Sequence, residues 1–341
     1  MTLSLENLRR CGVAVDLGAA RTRVYLKQSG LIVDEPSVVA VNTRTRGLIA
    51  VGTPAERMDG RTPAAIRVIR PVNGGTVVDI EMAQRMLRSM VGTRLGRSWR
   101  RRVLRAAVCV PHNADPLARR AAYETMLGLG ARRVELVDGL ITAALGAGLS
   151  VEQPEATMIM QCGAATTEVA VLALGAVVAA EKVPTGGDTV DRALVQHLRN
   201  QHELLLLSHA VRPLHLALTG ARAGSTEVQG RDVVTGRSRT VRIDNESLRA
   251  AVRTPVTSLL DAIRSVLHAS PPDLVADLVD RGVVMTGGAA RLPGLDRAVA
   301  EHTGMPVTVA EEPALCAVLG LGALLEGRVH PLRVTPQTSV G

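Results

Sequence analysis

Aromatic side chains are almost missing from this 341-residue chain: it has no Phe, and only Tyr25, Tyr123 and Trp99 carry rings of the Phe, Tyr and Trp class. An interior built on stacked rings is excluded, so Leu, Val, Ala and Ile must supply the core. Cysteine is limited to Cys11, Cys109, Cys162 and Cys316, far apart and in strand-like apolar surroundings. Such spacing excludes a disulfide framework or a zinc site and predicts small buried hydrophobes in a reducing cytoplasm. The eight histidines show no ligand spacing. His209 and His215 stand in a Leu-rich segment without acidic sequence neighbours, which predicts surface or half-buried positions. Long apolar runs are absent too. The longest, Val169 to Ala180, is too short to cross a bilayer and is interrupted by Gly175, so it predicts two strands joined by a tight turn. The first ten residues lack the continuous apolar stretch of a secretory signal. A cytoplasmic protein is expected, with room for peripheral attachment to the inner face of a membrane.

The charge is unbalanced. Forty Lys and Arg against 32 Asp and Glu give a formal +8, which favours acidic partners. Six arginines lie between Arg94 and Arg105 with one Trp among them. Nucleic-acid binding would need aromatic or polar base-reading groups interleaved with the charge. A single Trp does not provide them, so no nucleic-acid partner is expected. Residues 2–10 predict a short helix with Leu5 and Leu8 on one face and Arg9 and Arg10 behind them, a segment that can lie on an anionic membrane surface.

The rest of the chain is organised around a repeated stretch. Met158 to Leu172, MIMQCGAATTEVAVL, lies over Val13 to Leu26, VAVDLGAARTRVYL, after a shift of 145 positions. Gly18 then faces Gly163, Ala19 and Ala20 face Ala164 and Ala165, Thr22 faces Thr167, and Asp16 faces Gln161. Each copy reads as an apolar strand, a turn of small residues and a second apolar strand. Turns of Gly and Ala let backbone N–H groups approach an anion. Two such hairpins suggest two similar lobes around one phosphorylated ligand, with Asp16 placed to hold its counter-cation.

Between and after the hairpins, several elements are expected. EPSVVAV at Glu35 and GLIAVG at Gly47 predict two short strands, and Val77–Val91 a helix. Val103–Val110 predicts a strand, followed by a helix opened by Asp115-Pro116 and closed near Gly128 and Gly130. Val134–Val137 predicts a strand and Ile141–Leu149 a short helix. In the second half, Gly186 to Arg249 predicts a helix and then strands, with turns at Gly230 and Gly236. Ala250–His268 predicts one long amphipathic helix, and Val283–Thr286 a strand leading into TGGAARLPGL. Strands alternating with helices indicate an α/β fold.

These segments, in this order, resemble the MreB/Mbl family of bacterial actin-like cell-shape proteins. The similarity is carried by DLGAARTRVYLK at Asp16, EPSVVAV at Glu35, GRTPAAI at Gly60 and IRPVNGGTVVD at Ile69. It continues through GAATTEVAVL at Gly163, GGDTVD at Gly186, DRGVVMTGG at Asp280 and TGMPVTVAEEP at Thr303. The resemblance implies a two-lobed actin-like α/β fold of four subdomains, with duplicated ribonuclease-H-like cores around a nucleotide cleft. Subdomain IA would comprise residues 1–32, 70–150 and 318–341, and IB residues 33–69. Subdomain IIA would comprise 151–185 and 250–317, and IIB 186–249. It also implies ATP with Mg²⁺, self-association into filaments or co-assembly with an MreB homologue, and a wall-synthesis machinery as partner. Asp16, Gly18, Ala20, Thr22, Gly163, Thr166, Thr167, Asp188, Gly287, Gly288 and Ala290 match the family's nucleotide-binding positions, and Asp16 its metal position.

Departures from the family pattern fall on the chemistry. The family's DLGTANT is here DLGAART, and its DIGGGTTE is QCGAATTE, which puts Gln161 at an acidic position. Its Glu-Glu-Pro, whose second Glu is thought to position the attacking water, is Asp138-Gly139-Leu140. The nucleoside-holding Glu-Arg-Ile-Lys is Ala210-Val211-Arg212-Pro213, and a Gly triplet is Gly287-Gly288-Ala289. These replacements predict weak or absent ATP hydrolysis, with no residue assigned a catalytic role. The alternative is an active cytoskeletal ATPase with a rebuilt site; another enzyme or a chaperone of the same fold is the third reading.

Overall fold

The computed structural model describes residues 5–95, 104–206, 211, 214, 215, 218 and 224–329. Its plan is a duplicated sheet. In the first lobe, β1 (Val13–Leu17), β2 (Arg21–Leu26) and β3 (Gly30–Pro36) form a meander. β9 (Arg105–Val110) and β10 (Arg133–Asp138) then add parallel to β1. In the second lobe β11 (Thr157–Cys162), β12 (Thr167–Ala173) and β13 (Ala176–Val183) form the same meander. There β17 (Val283–Thr286) and β18 (Val307–Val309) add in parallel. The two orders, β3-β2-β1-β9-β10 and β13-β12-β11-β17-β18, match strand for strand. The sequence repeat is thus a structural one, and the tight turn expected inside Val169–Ala180 falls at Leu174 and Gly175, both with positive φ.

Helices cover these sheets on both faces. On one face of the first sheet lie α3 (Ile80–Leu95) and α4 (Pro116–Leu129), burying Met86, Leu87, Met126 and Leu129. The Asp115 carboxylate caps α4 by accepting from Ala118 N at 2.7 Å, and Gly130 closes it in a left-handed conformation. Between the two sheets sit α1 (Leu5–Arg9), α5 (Gly139–Gly146) and α11 (Cys316–Glu326). Their Leu8, Leu140, Ile141 and Leu321 meet Ala14 and Tyr25 of one sheet and Ile159 and Ala170 of the other. Helices α5 and α11 pass almost backbone to backbone. A methyl added at Gly146 would lie 1.9 Å from Cys316 O, and one at Gly320 would lie 1.8 Å from Thr142 O. This layer makes one body of the two lobes.

Small additions extend each lobe. A three-stranded sheet of β4 (Val39–Asn42), β5 (Leu48–Val51) and β6 (Ile66–Ile69), with α2 (Thr53–Met58), belongs to the first. The second carries α6 (Gly187–His202), β14 (Leu204–Leu205), β15 (Ser225–Asp232), β16 (Ser238–Asp244) and α7 (Asn245–Ala251) over a cluster around Leu194, Leu198 and Leu248. Helices α8 (Arg253–Ala269), α9 (Pro272–Arg281) and α10 (Leu295–Thr303) cover its sheet.

Five expectations are corrected. The apolar face of the first helix, expected to lie on a membrane, is turned inward: Leu8 is fully buried between the sheets and Leu5 packs beside it. The helix expected over Val77–Val91 begins only at Ile80, with Asp79 Oδ1 accepting from Met82 N at 3.0 Å. Val77 instead pairs with Val72 in a hairpin, β7 (Val72–Asn73) with β8 (Thr76–Val77), because Gly74 and Gly75 both take the positive φ such a turn needs. EPSVVAV is divided: Glu35 and Pro36 end β3, and Val39 starts the small sheet. The single helix expected over Ala250–His268 is α7 and α8, broken at Val252, since Pro255 offers no N–H to continue the ladder. Gly236 does turn the chain, but Gly230 lies inside β15, where a methyl would come 2.7 Å from Leu205 O. His215, half-buried as expected, nevertheless has an acidic partner: its Nε2 lies 2.6 Å from Asp191 Oδ1 on α6. His209, residues 2–4 and most of the arginine-rich stretch lie outside the described residues.

Candidate functional site: two matching hairpins

The hairpin β11–β12 faces the first lobe at the β7–β8 turn and the start of α5. A methyl on Gly75 would be 3.8 Å from Thr166 Oγ1, and one on Gly139 would be 3.9 Å from Gln161 Oε1 and 3.2 Å from Val110 O. Gly18 and Gly163 hold equivalent positions. Each donates its N–H to the carbonyl three residues on, Arg21 O at 3.1 Å and Thr166 O at 2.9 Å. A methyl on either would come within 2.7–2.8 Å of that same oxygen. Glycine is required there by the turn itself, before any ligand is considered.

Around the second hairpin the N-terminus of α6 docks directly. Gly187 N donates to Gly163 O at 3.1 Å and Asp188 N to Ala164 O at 2.8 Å. Burial pushes the Asp188 carboxyl upward, against the pull of the Arg70 charge from the first lobe. Gly287 has φ +84 and stands over Cys162 O, whereas Gly288 faces open space. Ala290 is 2% exposed and packs in the second lobe's core, while Thr22 is fully buried and shares a 2.8 Å hydrogen bond with Ser37 Oγ. Thr167 is fully buried beside the Cys162 thiol, which burial pushes up to about 12. All four cysteines are free. Of the nucleoside-side positions only Val211 is described; it is buried, and Pro213 lies outside the described residues.

Asp138 does not reach across to replace the residue missing at Gly139. Its Oδ1 accepts from Leu140 N at 2.8 Å as the cap of α5, and its Oδ2 lies 2.6 Å from His112 Nδ1. That bond raises the His112 pKa above its ordinary value. Opposite, Glu168 on β12 is pushed up to about 7 by burial, with Lys182 Nζ at 3.8 Å pulling the other way. His112, Asn113 and Leu140 of one lobe and Glu168, Ala180 and Lys182 of the other enclose a cavity of about 70 Å³. A larger groove, about 560 Å³, lies away from both hairpins between β13 and α8.

A divalent metal fits poorly at Asp16. Directly opposite it in register on β2 is Arg23, whose Nη1 lies 3.6 Å from Asp16 Oδ2 and whose Nε lies 3.2 Å from Asp34 Oδ1. Among the described residues, no three His, Cys, Asp or Glu side chains are grouped to hold a metal. Sequence reasoning missed Arg23. The alternation of β2 gave the signal, since the register that places Val24 in the core also puts residue 23 on the Asp16 face.

A duplicated five-stranded core with a helical layer between the sheets and a glycine-turn hairpin on each side defines an actin-like protein. The chain belongs to the MreB/Mbl family: the model of the MreB/Mbl protein family matches residues 10–332. It is 38% identical over 322 residues to the cell shape-determining protein MreB of Escherichia coli K12, covering 92% of this chain and 93% of that one. With the cell shape-determining protein Mbl of Bacillus subtilis it shares 33% over 318 residues, covering 92% and 95%. Among solved structures it is similar to MreB 5 of Spiroplasma citri bound to AMPPNP, with a TM-score of 0.84, 25% identity, and 90% and 93% of the two chains covered. The MamK double helical filament shares the fold, with a TM-score of 0.75 at 19% identity over 92% and 98%.

Proposed function

We propose that this chain is a cell-shape cytoskeletal subunit that assembles into filaments at the inner membrane surface and organises wall synthesis, with ATP hydrolysis weak or absent. The observation that carries the reading is Asp138. A water-activating carboxylate must present an oxygen to the water, within hydrogen-bond reach and open to it. Asp138 uses one oxygen on the α5 cap and the other on His112, it is 3% exposed, and the next residue is Gly139. Opposite it stands Gln161, which carries no charge to order a cation or polarise a water. The nucleotide-bound MreB 5 relatives support a nucleotide as the ligand of the cleft. On this chain the two hairpin turns would face its phosphates, and Gly288, open to space, would admit the nucleoside side.

Steady-state phosphate release with the full chain tests the reading. Release at background is expected, since loss of a positioned base or electrostatic group costs roughly 10²–10⁴-fold. Gln161→Asp together with Gly139→Glu should raise turnover, because it restores the two acidic groups that the cleft lacks; a Cβ at residue 139 would lie 3.2 Å from Val110 O, so the backbone there must give by a few tenths of an ångström. Turnover in the unmodified chain that Asp16→Ala abolishes would refute the proposal and favour the active ATPase.

A further inference from the structure

Each lobe carries a row of polar side chains across its three meander strands, and the two rows occupy equivalent positions. In the first lobe the row is Asp16 on β1, Arg23 on β2 and Asp34 on β3. In the second it is Gln161 on β11, Glu168 on β12 and Lys182 on β13. Directly opposed residues of neighbouring strands put their side chains on one face, close enough to pair. The central charge is therefore positive in one lobe and negative in the other.

Arg23 is held from both sides. Its side chain is 11% exposed, with Asp16 at 3.6 Å and Asp34 at 3.2 Å. Arg21 completes the group, placing Nε 2.6 Å from Asp34 Oδ1 and Nη2 2.6 Å from Asp34 O. Two carboxylates and two guanidiniums make a neutral cluster in which neither acid lacks a cation. In the second row Lys182 supplies the cation, 3.8 Å from Glu168. A divalent ion approaching Asp16 would meet a guanidinium already there, in a partly buried setting where water screens little of the repulsion.

We propose that Arg23 is the resident counter-cation of the first hairpin, standing where a divalent metal would otherwise sit, so that this cleft takes no metal at Asp16. The inference deepens the proposed reading of the cleft but is separable from it, because metal can be found at Asp16 while phosphate release stays at background.

Binding of Mn²⁺ alone to the full chain, followed by the loss of its free electron-paramagnetic signal, tests this. The unmodified chain and Asp16→Asn should bind Mn²⁺ equally weakly. Arg23→Leu, which removes the cation but keeps an apolar strand residue, should create a saturable site at least about tenfold tighter, since a single like charge at this range readily exceeds that factor. Adding Asp16→Asn to it should abolish the gain, and Arg23→Lys should show none. Should Arg23→Leu lose its circular-dichroism signature of a folded chain, Arg23→Gln carries the same comparison. A saturable site in the unmodified chain that Asp16→Asn removes would overturn the proposal. So would the absence of any gain in folded variants lacking the charge at residue 23.

Discussion

Replacing Glu168 by Gln should stabilise the protein, by an amount that grows as pH rises from about 4.5 to about 7 and is constant above. The Glu168 residue is 7% exposed and its pKa rises from 4.5 to about 7, chiefly through burial, with the Asp138 charge adding to the rise. Lys182, the His112 backbone N–H and the His112 charge oppose that shift. A raised carboxyl pKa means that the folded chain binds the proton more tightly than the unfolded one. The penalty is therefore absent below about 4.5 and complete above about 7, where it amounts to roughly 3 kcal/mol. Gln is close to the protonated Glu in shape and never ionises. At pH 8.5 the variant should gain most of that energy, about 4 °C in Tm for a chain of this length. At pH 4, below the unfolded value of 4.5, the two proteins should melt together. His112 acts in the same direction: its raised pKa adds stability below about 6.5 that is lost as pH climbs through the folded value. The unmodified chain should thus weaken from pH 6 to pH 9, and Glu168→Gln should remove only part of that slope. Thermal melts at the two pH values decide it. Equal shifts at both, or destabilisation at pH 8.5, would show that Glu168 is ionised and held by Lys182, contradicting the burial argument.

Two other perturbations probe the frame and the surface. Gly320→Ala should cost at least about 2 kcal/mol, because its methyl would lie 1.8 Å from the Thr142 carbonyl where α5 and α11 cross, whereas Gly288→Ala meets no atom within 4 Å and should barely shift the melting temperature. Vesicle sedimentation should show stronger binding to anionic than to neutral lipid, weakened by salt and by Arg9→Gln with Arg10→Gln, which changes the exposed basic end of α1 and leaves Leu8 in the core; equal binding to both lipids would remove the basic N-terminal segment as the anchor.

The hairpins, the strand at Val283–Thr286 and the Asp115-capped helix were legible in the sequence because each has a local signal: a repeat, an apolar run, a capping pair. The chemistry of the cleft was legible only in part. Gln161 and Gly139 could be read by position, but the engagement of Asp138 depends on His112, which lies 26 residues away and meets it only when β9 and β10 pair in parallel. Arg23 escaped for a similar reason. Within β2 it looks like a solvated arginine, and only the three-strand register places it between Asp16 and Asp34. The break at Val252 was hidden because hydrophobic periodicity runs through both α7 and α8, and one proline decides where the helix restarts.

We propose that this chain, which keeps the body of an actin-like subunit, assembles without depending on hydrolysis. A ligand shifts an equilibrium only by its differential affinity for the two states, and the groups that would read a γ-phosphate are engaged elsewhere or absent. Sedimentation with electron microscopy of the full chain, in ATP, in ADP, in a non-hydrolysable analogue and without nucleotide, measures this directly. Filaments at similar critical concentrations in all four conditions are expected. Assembly only with ATP, collapsing as phosphate is released, would contradict the account.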